Sequence, residues 1–131
     1  MKASTYLEHA ALNHFFRGEA QPAPSTLYLA LYISDPTDDD IGTEITGGGY
    51  ERVPVTFSEP VQVGGRGQIT NNIRVDYPTA TENWATVSHW GVRDAKTGGN
   101  LLTYSPVPTP KLIEQGDEAK FNAGALTIAL D

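Results

Sequence analysis

Residues able to do chemistry are few in this sequence, and their spacing decides what chemistry they could serve. Gly47, Gly48 and Gly49 stand directly before Tyr50 in "EITGGGYERVPVTF" (44–57). A phosphate cradle needs a glycine, four residues, then Gly-Lys-Ser/Thr running into a helix whose N-terminus meets the phosphate. Here Tyr50, Glu51 and Arg52 follow, and then a β-branched alternation. The triplet therefore reads as a turn, with glycine supplying the positive φ that a tight reversal requires.

Asp35, Asp38, Asp39, Asp40 and Glu44 crowd the segment 35–44 and raise the question of calcium. An EF-hand places glycine sixth and a bidentate glutamate twelfth; counted from Asp35, those positions hold Asp40 and Thr46. A solvated surface loop is expected, with room for weak cation binding. His9 and His14 are five apart, so they do not share a helical face as metal-binding pairs at i, i+4 do. Ser88, His89 and Asp94 contain the residue types of a hydrolase triad. Neighbours on a strand point to opposite faces, so Ser88 is not expected to hydrogen-bond His89. Glu82 and Asp94 flank the two tryptophans, as glycosidase carboxylates could, but Trp90 alternates with Val92 and reads as core. Trp84 lies in an irregular stretch and is expected to be the exposed aromatic. No catalytic residue, cofactor site or metal site is assigned.

Composition narrows the classes further. With no cysteine, disulfides, zinc–thiolate centres and cysteine nucleophiles are excluded. A net charge of −7 argues against nucleic acid and anionic membrane as partners. No apolar run suffices to span a membrane. The N-terminal segment lacks the pattern of a secretory signal, which predicts synthesis in the cytoplasm.

These side chains must be positioned by a small set of elements. One helix is predicted over about 5–17, with Thr5 and Glu8 as a capping box and Gly18 as its left-handed stop. Leu7, Ala10, Ala11, His14 and Phe15 follow the spacing of a buried stripe, while Leu12 and Phe16 widen the apolar arc beyond it. That excess predicts contact on two sides, the second with another subunit through Leu7, Leu12, Phe15 and Phe16. "LYLALYI" (27–33) alternates with apolar residues on both faces and should lie inside a sheet. Shorter strands are predicted at 52–57, 68–77, 86–94, 100–107, 119–124 and 125–131, with "VPTPK" (107–111) as a connector. One helix followed only by strands excludes a βαβ sheet. The expectation is a mainly β single domain over 1–131, an antiparallel β-sandwich of jelly-roll type over about 25–131 with one N-terminal α-helix.

Taken together, "YLEHAALNHFFRG", "LYLALYISDPTDDDIGTEITGGGYERVPVTF", "PTATENWATVSHWGVRDAKTGGNLLTY" and "GDEAKFNAGALTIALD" resemble small tail fibre proteins of tailed bacteriophages, over nearly the whole chain. The resemblance implies a non-enzymatic virion component, made in the host bacterial cytoplasm, with other virion proteins as partners. Homo-oligomers, trimers among them, suit such a particle. A chain this short forms no long shaft, so a fibre-associated or adaptor role is implied. Capsid decoration is the first alternative. A module binding host-surface glycan through Tyr50 and Trp84 is the second.

Overall fold

The computed structural model describes residues Met1–Asp131 and is mainly β, with every strand pairing antiparallel. After β1 (Lys2–Ala3) comes the helix α1 (Thr5–Arg17), then β2 (Leu27–Tyr32), β3 (Val53–Val55), β4 (Val61–Val63), β5 (Arg66–Thr70) and β6 (Val75–Asp76). The chain closes with β7 (Ala85–Arg93), β8 (Leu101–Ile113), β9 (Lys120–Phe121) and β10 (Thr127–Leu130). Three sheets result: β1-β8-β7-β2-β3, β10-β5-β4 and β6-β9.

The sheets pack in a sandwich-like arrangement around a common core. Leu29, Leu31, Val55, Val87, Trp90 and Val92 of the large sheet meet Val75, Tyr77 and Leu126 from the other side. β2 is apolar on both faces because both are covered. Leu29 and Leu31 join this core, while Ala30 and Tyr32 form a second cluster with Leu101 and Tyr104. As expected for such a strand, β2 lies inside its sheet, between β7 and β3.

Two strand expectations are corrected. The segment 107–111 is no connector, because β8 runs through it to Ile113. Pairing jumps from His89↔Pro106 to Val87↔Lys111, so that only Ser88 intervenes on β7 whereas Val107 to Pro110 intervene on β8. Proline, lacking an N–H, is tolerated at such a bulge. The predicted strand 68–77 is split because the buried Asn71 side chain takes over backbone bonding. Its Nδ2 donates to Ile73 O (2.9 Å) and Asn122 O (3.0 Å), and its Oδ1 accepts from Leu126 N (2.9 Å).

The helix keeps its predicted span but not its predicted cap or buried stripe. Ser4, not Thr5, is the N-cap: its extended backbone gives its N–H to Leu102 O, and its side chain accepts from Leu7 N. Gly18 ends the helix at φ 71°, as expected. No helical residue is fully buried; Leu7 and Ala10 are half-buried, and Ala11, His14 and Phe15 are exposed. Among the strands the helix rests mainly on β8 and β1, and its first residue is tied to the acidic loop by Thr5 N donating to Asp38 O at 2.9 Å.

Candidate functional site

The acidic loop is the most connected polar feature of the molecule. Arg93, at the end of β7, is buried and donates through both terminal nitrogens to Asp40, at 2.7 and 2.9 Å. It also donates to Tyr32 Oη (3.0 Å) and Gly99 O (3.0 Å). Arg52 makes a parallel clamp. Its Nε and Nη2 donate to the two Glu44 oxygens at 2.9 and 2.8 Å, and its Nη1 donates to Ala95 O and Gly98 O at 2.9 and 2.8 Å. Each guanidinium thus ties a carboxylate of segment 35–44 to the carbonyls of the turn at 94–100. Burial alone would lower the Arg93 pKa, but its hydrogen bonds to Asp40 and Tyr32 outweigh it and leave it raised.

The acidic loop lies at the surface as expected, with Asp35, Asp38, Asp39 and Asp40 exposed, but it is tied down on its inner side. Asp40 and Glu44 are engaged by arginines, Asp38 accepts from Tyr104 Oη, and Asp35 Oδ1 accepts from Thr37 N at 2.9 Å. No three His, Asp or Glu side chains gather into a metal-holding group. Arg52 and Arg93 were not predicted as organisers. Their signal was present in sequence: an arginine beside Val53 and another after Val92, each adjoining an apolar strand, needs a carboxylate once buried.

The glycine triplet is the turn it was expected to be, and it also serves the core. Gly47, Gly48 and Gly49 have φ of 75°, 61° and 80°, and Tyr50 N closes the turn onto Gly47 O at 3.0 Å. Trp84 is only 3 % exposed, which overturns its expected place on the surface. Its Nε1 donates to Gly48 O (2.7 Å), and its ring meets Tyr50 and Tyr77 edge-on at 5.5 and 6.2 Å. Tyr50, half-buried, stacks on Tyr77 at 5.9 Å. It accepts from Leu31 N (3.0 Å) and donates to Glu44 Oε2 (2.6 Å). Neither ring stands free as a sugar platform; the irregular segment around Trp84 folds inward because its indole N–H finds a carbonyl there.

A Cβ on Gly48 would lie 2.8 Å from Trp84 Cδ1 and Nε1. Gly48→Ala combines that collision with a left-handed backbone and should cost about 2–4 kcal/mol. Chemical denaturation checks this, and a loss below about 0.5 kcal/mol would show that the turn yields freely.

Ser88 Oγ and His89 Nδ1 lie 2.8 Å apart, contrary to the expectation from strand alternation. The bulge between Val87 and His89 rotates the backbone locally, so the two side chains meet. Asp94 takes no part. Its oxygens accept from Asn100 N and Nδ2 at 2.7 and 3.0 Å, fixing a turn. His89 Nε2 is 3.9 Å from Asp35 Oδ1, beyond hydrogen-bond reach. His9 and His14 lie exposed on the helix.

Four buried or networked phenols give the molecule an alkaline limit. Burial raises the pKa of Tyr32, Tyr50, Tyr77 and Tyr104, reinforced by hydrogen bonds to Glu44 for Tyr50 and to Asp38 for Tyr104. The folded chain keeps these protons when the unfolded chain releases them near pH ~10. Stability should therefore be intact below that pH and fall as pH rises above it. Tyrosinate absorbance and far-UV circular dichroism, followed together, are expected to change in one cooperative step. Full ionisation with unchanged dichroism would refute this.

The remaining outward feature is α1. Leu12, Phe15 and Phe16 are 56, 77 and 81 % exposed. Leu7, Ala10 and Ala11 line a groove of about 310 Å³ shared with Pro22, Pro24 and Leu102. No helix is long and apolar enough to cross a membrane.

The comparisons with known proteins bear on where such a molecule belongs. No curated protein matches the chain in sequence. Residues 2–129 match the profile of a family described as podophage GP4 fiber I protein gp80. That match spans both arginine clamps, the glycine turn and the projecting helix, and with it the chain belongs to the podophage GP4 fiber I protein gp80 family.

Proposed function

We propose that the chain is a non-enzymatic structural component of a tailed-phage virion, seated on the particle surface as a tail-fibre-associated or adaptor protein. The observation that carries this reading is the family match over residues 2–129. The interior supports it. Asp94, the acid that both hydrolase readings of the sequence needed, is occupied in fixing its own turn, and Asp40 and Glu44 are engaged by Arg93 and Arg52. The helix, anchored through Ser4 and otherwise standing proud of the sheet, is the contact through which the chain joins its assembly, with Leu7, Leu12, Phe15 and Phe16 as the contact residues.

Copy number tests the placement. Quantitative mass spectrometry of purified particles should give a small multiple of the tail's rotational symmetry. Hundreds of copies would instead assign the chain to capsid decoration, and its absence from particles would reject a virion role.

A further inference from the structure

We propose that a pocket beneath the proline-rich bulge of β8 binds a short alkyl chain ending in an anionic group, with Lys111 and Lys120 holding the charged end. The pocket shares no residue with the groove beside α1, and the proposal does not depend on how the chain joins a particle.

The pocket originates in the register jump of β8. Val107 to Pro110 face only Ser88 across the ladder, so this segment leaves β7 and arches outward. Pro108 and Pro110 have no N–H to return to the ladder, which keeps the arch from closing onto β7. Beneath it lies a cavity of about 220 Å³, floored by the buried Leu31, Val87 and Ile113. Ala119 and Phe121, at β9, form the facing wall. These groups are all apolar and offer water no hydrogen-bond partner. A dry cavity of about 150 Å³ already takes benzene, and by that scale a chain of about eight carbons fits here.

Charge marks the mouth. Lys111 and Lys120 line the opening and are exposed, and neither takes part in any ion pair of the chain. They are two of the four lysines in a protein of net charge −7. Glu118 is the one acidic residue of the lining, and its Oε1 already accepts from Thr79 Oγ1 at 3.0 Å. A lysine keeps its ammonium in water while its stem borders apolar surface, so the two can meet an anionic head at the rim. A small anion alone would gain nothing from the floor, and a neutral chain nothing from the lysines. The combination selects an amphiphile that carries both.

The test is an NMR chemical-shift titration of the full chain with straight-chain carboxylates from butanoate to dodecanoate, each below its micelle concentration. Affinity should rise about three- to fourfold per added methylene and level off near about eight carbons, where the pocket is full. Octanol and octyltrimethylammonium should each bind at least about fivefold more weakly than octanoate. Lys111→Glu combined with Lys120→Glu should weaken octanoate about five- to tenfold and leave the thermal unfolding curve unchanged, since both side chains are exposed. Ala119→Leu, which fills the pocket, should abolish saturation while unfolding stays cooperative. The proposal is overturned if octanoate does not saturate, if affinity climbs through dodecanoate without levelling, or if the lysine reversals leave it unchanged. A short peptide ending in a leucine carboxylate is the rival guest. Should it displace octanoate at lower concentration than octanoate itself requires, the occupant is the end of a partner protein and the alkyl chain is rejected.

Discussion

Trp84→Ala should destabilise the protein by about 3–5 kcal/mol, the range for deleting a large aromatic from a packed interior. Trp84 is 3 % exposed and joins Tyr50 and Tyr77 in one aromatic cluster. Removing it leaves a void those rings cannot fill, because each is held at its hydroxyl. Tyr77 Oη donates to Leu29 O at 2.6 Å, and Tyr50 Oη is fixed between Glu44 and Leu31 N. It also removes one of the two donors to Gly48 O, leaving Thr81 N at 2.9 Å as the other. Trp84→Phe separates these effects. It keeps much of the ring volume, loses the hydrogen bond, and should cost about 1–3 kcal/mol. Urea titration of both variants measures the difference. A Trp84→Ala loss below about 1 kcal/mol would mean that the cluster does not hold the glycine turn to the core.

Arg93→Ala is the second substitution with a large expected effect. The Arg93 side chain is 8 % exposed, and its removal strands Asp40, the Tyr32 hydroxyl and the Gly99 carbonyl together. Breaking a buried pair by deleting one partner costs about 3–5 kcal/mol. Asp40 keeps access to water at 33 % exposure, which places the expected loss near the lower end, about 3 kcal/mol. Asp40 also holds φ at 58°, a conformation its bond to Arg93 helps to maintain. Arg93→Lys should recover little, since an ammonium cannot make the paired contact to both carboxylate oxygens. Full stability in Arg93→Lys, measured by denaturant titration, would show that one charge suffices and that the fork geometry is incidental.

Both substitutions act on long-range joints, and this is where the sequence becomes hard to read. Arg93 and Asp40 are 53 residues apart, and Trp84 reaches Gly48 across 36. Neither spacing leaves a periodic trace. Arginines next to apolar strands signal that some carboxylate must answer them, but five acidic side chains stood available in segment 35–44. The choice of Asp40 for Arg93 and Glu44 for Arg52 follows from sheet register, which sets β7 beside β2.

What the sequence determined by itself is what short-range physics controls. The helix over Thr5–Arg17, its glycine stop, the doubly buried strand Leu27–Tyr32 and the turn at Gly47–Gly49 all depend on neighbours within a few residues. The family, too, was legible in contiguous blocks of residues. Tertiary structure decided everything that required knowing which surface another segment occupies. It chose which part of a wide apolar arc would rest on β8, leaving Phe15 and Phe16 outside. It drew Trp84 from an irregular segment into the core, and it brought Ser88 to His89 at a bulge that alternation alone forbids. Periodicity records that a residue prefers an apolar or a polar neighbour. Which neighbour it gets is settled only when the sheets close over one core.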